Sequence, residues 1–141
     1  MEHIELRASR VFKVTKSVVF GDLTAAAATQ SIDFDAALPA DACIVGFGLD
    51  VTDLFVTAVA GNVGADLGVA SGDTDVFLDG IAANMSAILG KKHSPAGVGP
   101  VGLVGAITPS ILFTAAADDI GDATAGAMTA DIYFIRVDAQ A

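Results

Sequence analysis

Tryptophan is absent from this 141-residue chain, tyrosine and cysteine occur once each, and histidine occurs twice. Each shortage excludes something. With Cys43 alone no intrachain disulfide can form, and its place in the run Cys43-Ile44-Val45-Gly46-Phe47 reads as a small buried hydrophobe. His3 and His93 do not make the cluster of imidazoles with a carboxylate that a cupin-type metal centre needs. Ser94 adjoining His93 does not supply the strained nucleophile and oriented base of a Ser-His-Asp site. Sugar sites use aromatic platforms, and Tyr133, in a strand-like segment, reads as core or interface. Beyond Glu5 every acid is an Asp, expected in turns, with no aromatic cleft to hold a glycan between paired carboxylates. The expectation is a non-enzymatic protein with no catalytic residue, no cofactor and no metal.

Positive charge is also scarce. Lys and Arg number 7 against 17 Asp and Glu, for a net charge of −10. Residues 1–21 oppose Arg7, Arg10, Lys13 and Lys16 to Glu2 and Glu5, a balance of +2. Residues 22–141 oppose Lys91, Lys92 and Arg136 to fifteen Asp, a balance of −12. An acidic body repels phosphate backbones, so no nucleic-acid partner is expected. The basic stretch reads either as a solvated strand face or as a contact with an acidic partner. Arg7, Arg10, Lys13 and Lys16 are the candidates for that contact.

Met1 to Lys16 is charge-studded and unlike a signal peptide, which leads to an expectation of folding in a cytoplasm. Ser94 to Ala117 carries no charge, but Pro95, Pro100 and Pro109 with Gly97, Gly99, Gly102 and Gly105 would break a spanning helix. That segment reads as buried loop and strand, and no membrane partner is expected.

Apolar residues are abundant, at 53% with a mean hydropathy of +0.64. Much of this is Ala and Val, which bury little area each, so some apolar surface is expected to be covered by other subunits. Arg10 to Phe20 alternates, with Phe12, Val14, Val18 and Phe20 on one parity and Lys16 the one charged intruder there. Further strand-like runs are Thr29–Phe34, Cys43–Val51, Leu54–Val59, Asp66–Ala70, Val76–Ile81, Val101–Ile107, Ser110–Thr114 and Met128–Val137. Turn signals stand at Leu38–Asp41, Gly61-Asn62, Ser71–Asp73 and Asp118–Asp122. Leu23–Thr29 and Ala82–Leu89 are the two short helical candidates. The pattern predicts an all-β, jelly-roll-like β-sandwich of about eight strands with little helix. Residues 1–10 are expected to form an N-terminal arm and 11–141 a single domain.

Four motif matches lack the context they need, and calcium held by paired aspartates in a loop is the one such reading that stays open. Gly97-Val98-Gly99-Pro100-Val101-Gly102 has the letters of a dinucleotide fingerprint, but Pro100 interrupts it and no helical pattern follows. Asp73 to Gly80 has acidic spacing without the position-six Gly or closing Glu of an EF-hand, and Gly61 to Val69 is a lone echo of a calcium β-roll repeat. Asn84-Met85-Ser86 is a glycosylation sequon only in a secreted chain.

One resemblance stands beside these readings. The stretch Phe20-Gly21-Asp22-Leu23-Thr24-Ala25-Ala26-Ala27-Ala28-Thr29-Gln30-Ser31-Ile32 continues to Leu38-Pro39-Ala40-Asp41-Ala42-Cys43-Ile44-Val45-Gly46. With Leu67–Phe77 and the closing strand Asp131–Val137, it resembles the head decoration or cement proteins of tailed bacteriophages. The resemblance implies a jelly-roll-like virion protein on the outer surface of an icosahedral capsid, present in the host cytoplasm before assembly. It implies the major capsid protein and further copies of the same chain, as homodimer or homotrimer, as partners. It transfers no defined functional residue. The alternatives are a tail or neck component and a ligand- or carbohydrate-binding β-sandwich.

Overall fold

The computed structural model describes residues 10–57, 63–70, 90–94 (backbone) and 106–136. Seven strands lie among them: β1 Phe12–Val19, β2 Thr29–Asp33, β3 Ala42–Val56, β4 Val63–Val69, β5 Gly90–Ser94, β6 Pro109–Ala115 and β7 Ala125–Arg136. All pairings are antiparallel. One sheet has the order β1-β7-β3-β5 and the other β2-β6-β4, so successive strands alternate between sheets. The pairs are nested: β1 with β7, β2 with β6 and β3 with β5. This is a long antiparallel hairpin rolled up on itself, the jelly roll. About eight strands are expected, and seven are seen among the described residues. The expected strand Val76–Ile81, the helical candidate Ala82–Leu89 and most of the run Val101–Ile107 lie outside the described residues, and Ala106 and Ile107 at the end of that run are not in a strand.

The core lies between the sheets. On β6 and β4 the inward set is Ile111, Phe113, Ala115, Val63, Ala65 and Leu67, all buried. Facing them from β3 and β7 are Leu49, Val51, Phe55, Met128, Ala130 and Ile132. Phe55 and Phe113 meet across the sandwich with ring centroids 5.3 Å apart. Backbone hydrogen bonds stitch the ends: Phe34 N–H donates to Pro109 O at 2.8 Å, and Ile120 N–H to Ala27 O at 2.7 Å.

The structure changes several expectations. Cys43–Val51 and Leu54–Val59 are not two strands, because Ala42–Val56 is one fifteen-residue strand. Irregularities between Ile44 and Gly46, Val51 and Asp53, and Asp53 and Val56 let it bend and change which residues face inward. Val45 stands out at the first, so burial passes from Ala42 and Ile44 to Phe47, Leu49 and Val51. Leu23–Thr29 is not a helical turn. A 3₁₀ turn closes earlier, at Phe20–Asp22, where the Asp22 carboxylate accepts from Val19 N–H at 2.9 Å. Gln30 then holds the next residues: its Oε1 accepts from Thr24 and Ala25 N–H at 2.8 and 2.9 Å, while its Nε2 donates to Asp22 O. Those side-chain bonds replace the backbone bonds a helix would make. Phe20, expected on the inner parity of β1, leaves the strand in this turn and is 42% exposed. Strand β5, over Lys91-Lys92-His93-Ser94, has no apolar alternation and was not anticipated.

Candidate interaction surface

The four-stranded sheet turns one face to the core and one outward. On β1 the outward residues are Lys13, Thr15, Ser17 and Val19. Their register partners on β7 are Tyr133, Asp131, Thr129 and Ala127. On β3 and β5 the same rows continue, Asp131 beside Gly48 and then the His93 position, Thr129 beside Asp50 and then the Lys91 position. Polar residues dominate the centre of this face. Thr15 Oγ1 donates to Asp131 Oδ1 at 2.6 Å, and the Ser17 and Thr129 hydroxyls lie 3.1 Å apart. Asp131 is only 7% exposed. The expectation that the aspartates occupy turns thus fails at Asp131, Asp50, Asp53 and Asp66, which are strand residues.

The predicted contact cations separate into distinct roles. Arg7 lies outside the described residues. Arg10 and Lys13 are exposed, and neither has an ion-pair partner among the described residues. Lys16, opposite the fully buried Ala130, runs along the edge of the core, and its ammonium reaches Asp35 at 2.6 Å. It therefore bridges the first sheet to the segment after β2, with its apolar stem covering the gap between them. At the same end of the sandwich Arg136 Nε donates to both Asp41 oxygens, at 2.9 and 3.2 Å.

Sequence reasoning missed where the spare apolar surface goes. Among the described residues the large hydrophobic side chains left exposed are Val11, Val19, Phe20, Val45 and Val56, at 57%, 50%, 42%, 42% and 37%. They do not scatter. Val11 and Val45 flank the Arg136 end of β7, and Val19, Phe20 and Val56 flank its Ala125 end. Around the first pair stand Arg10 and Lys13. Around the second stand Asp22, Asp53, Asp119 and Asp122, with the Lys91 position, beside Asp50 on β5, the nearest cation of the described residues. No local sequence signal announces this, because each end is assembled from segments distant in the chain.

Among the described residues no three His, Cys, Asp or Glu side chains converge closely enough to hold a metal ion. The acidic run Asp73–Gly80, the Gly97–Gly102 motif, Asn84 and His3 lie outside the described residues. No helix among the described residues is long and apolar enough to cross a membrane.

No protein-family model and no curated protein matches the sequence. Solved structures do match the fold. A chain of the cyanophage Pam1 capsid asymmetric unit superposes with a TM-score of 0.65 at 16% identity, covering 92% of this chain and 86% of that one. A chain of the capsid of Ralstonia phage GP4 superposes with a TM-score of 0.63 at 18% identity, covering 97% of this chain and 91% of that one. The fold of this chain is thus similar, over nearly its whole length, to that of chains found in two phage capsids.

Proposed function

We propose that this chain is a non-enzymatic structural protein of a bacteriophage virion that binds the outside of an icosahedral capsid and cements neighbouring subunits of the major capsid protein. The observation that carries this reading is the likeness in fold to chains of two phage capsids, which extends over 92% and 97% of this chain. The surface fits the role. Among the described residues exposed apolar groups gather at two places on one sheet, as expected of a protein that is covered when assembled. A net charge of −10 keeps a densely coated particle soluble. Among the candidate cations, Arg10 and Lys13 remain available to an acidic partner surface, whereas Lys16 is engaged within the chain. Residues 1–10 would act as an arm leading into β1.

The mechanism is mechanical. A ligand that binds only the assembled state stabilises it by mass action. Repetition over a symmetric shell adds avidity of roughly 10²–10⁴ beyond one contact. The test is to add the purified protein to shells that lack it and measure copy number and thermal rupture of the shell. Saturation at one copy per major capsid subunit, or a simple fraction, with rupture at higher temperature, is the expected result. A handful of copies per particle would assign the chain to the tail or neck instead, and no binding would end the capsid reading.

A further inference from the structure

We propose that copies of this chain bind one another head to tail, the acidic end of the four-stranded sheet in one copy docking on the basic end of the sheet in the next. This goes beyond the reading above, and it stands whether or not the chain binds a capsid.

The argument begins with where apolar surface is left uncovered. Among the described residues all five large exposed hydrophobic side chains lie at the two ends of β1 and β3, and none in the polar middle of that face. Val19, Phe20 and Val56 form one cluster and Val11 and Val45 the other. Half-buried Ala125 and Ala127 extend the first, and half-buried Ile135 and Tyr133 extend the second. Each cluster alone is small. Two of them brought together would remove both from water.

Charge then chooses the partner. The cluster at Val19 is rimmed by Asp53, Asp119 and Asp122, all exposed, and the nearest cation position among the described residues is Lys91 on β5, beside Asp50. The cluster at Val11 is rimmed by exposed Arg10 and Lys13, while Asp35 and Asp41 at that end are already paired with Lys16 and Arg136. Like ends would place carboxylates against carboxylates or cations against cations, so a two-fold contact through either end is disfavoured. Unlike ends are complementary in both apolar surface and sign. Such a contact is heterologous: it closes into a ring when the rotation allows, and otherwise it extends.

Sedimentation velocity on the full chain tests this, with two charge reversals at each end. Arg10→Glu with Lys13→Glu makes both ends acidic, and Asp53→Lys with Asp122→Lys makes both ends basic. Each pair is expected to weaken self-association by roughly tenfold or more, because exposed ion pairs become repulsions. The four substitutions combined swap the polarity of the contact and are expected to restore association towards that of the unmodified chain. Thermal unfolding by circular dichroism, unchanged in all three, keeps a folding defect from imitating the result. An unmodified chain that sediments as a monomer at every concentration overturns the proposal. So does a pair of reversals that leaves association intact, or a folded four-fold variant that fails to recover. Binding to purified shells is measured in parallel. Loss of shell binding with association intact would give the basic end to the shell and overturn the proposal. Association that follows the charge rules while no variant, nor the unmodified chain, binds shells would uphold the head-to-tail contact and remove the capsid reading.

Discussion

Gly126 is where a single side chain would do most harm. Its φ is +141°, a region L-residues rarely adopt, and a Cβ there would lie 2.3 Å from Phe55 Cδ1. Phe55 is fully buried and cannot swing aside. Gly126→Ala is therefore expected to cost about 3 kcal/mol or more, combining backbone strain with overpacking. Urea unfolding would read this as a lower midpoint. On the outer face the controlling residue is Thr15, whose hydroxyl is a partner of the nearly buried Asp131 carboxylate. Thr15→Val keeps the shape and removes the donor. The expected loss is about 1–2 kcal/mol by the same measurement, below the full value for a bond to a charge because Thr15 itself is exposed. Thr15→Ser, which keeps the donor, should recover much of it.

Among the elements, β6 and β3 set the stability of the sandwich. Phe113 on β6 is fully buried against Phe55 on β3, so Phe113→Ala removes a contact between the sheets and is expected to cost about 3–5 kcal/mol in denaturant unfolding. Leu112→Ala, on the half-buried opposite face of the same strand, should cost clearly less. The sandwich class was legible because β1 and β7 alternate over eight and twelve residues, a period that only one buried face produces. What was not legible has local causes. At Val45 a bulge changes the phase of burial in mid-strand, and no period-two pattern survives that. Strand β5 owes its existence to pairing with β3 and not to composition. The Ala-rich segment after Asp22 looked helical until the Gln30 amide, six residues from Thr24, was found to hold it. Of the candidate surface, the basic side was readable as Arg10 and Lys13. The acidic side was not, since Val19, Val56 and Asp122 meet only through the fold.

For the molecule as a whole, charge and shape work against each other. A net charge of −10 on 141 residues opposes association at a distance, while the two apolar ends favour it at contact. Self-repulsion fades as pH approaches the isoelectric point near 4.2. Turbidity against pH is expected to peak close to that value and to clear again on either side. A chain equally soluble through that range would mean that its exposed apolar ends are too small to matter.

The nested order of strands also has a bearing on how the chain is made. Strand β7 sits between β1 and β3 yet comes last of the described strands, so those two lack their common neighbour until it has emerged from the ribosome. Most of the first sheet must therefore form after synthesis of residue 136, from contacts far apart along the chain. Such topologies fold slowly and leave strand edges exposed meanwhile. A chain with this strand order is open to chaperone capture and to edge-to-edge aggregation during that interval.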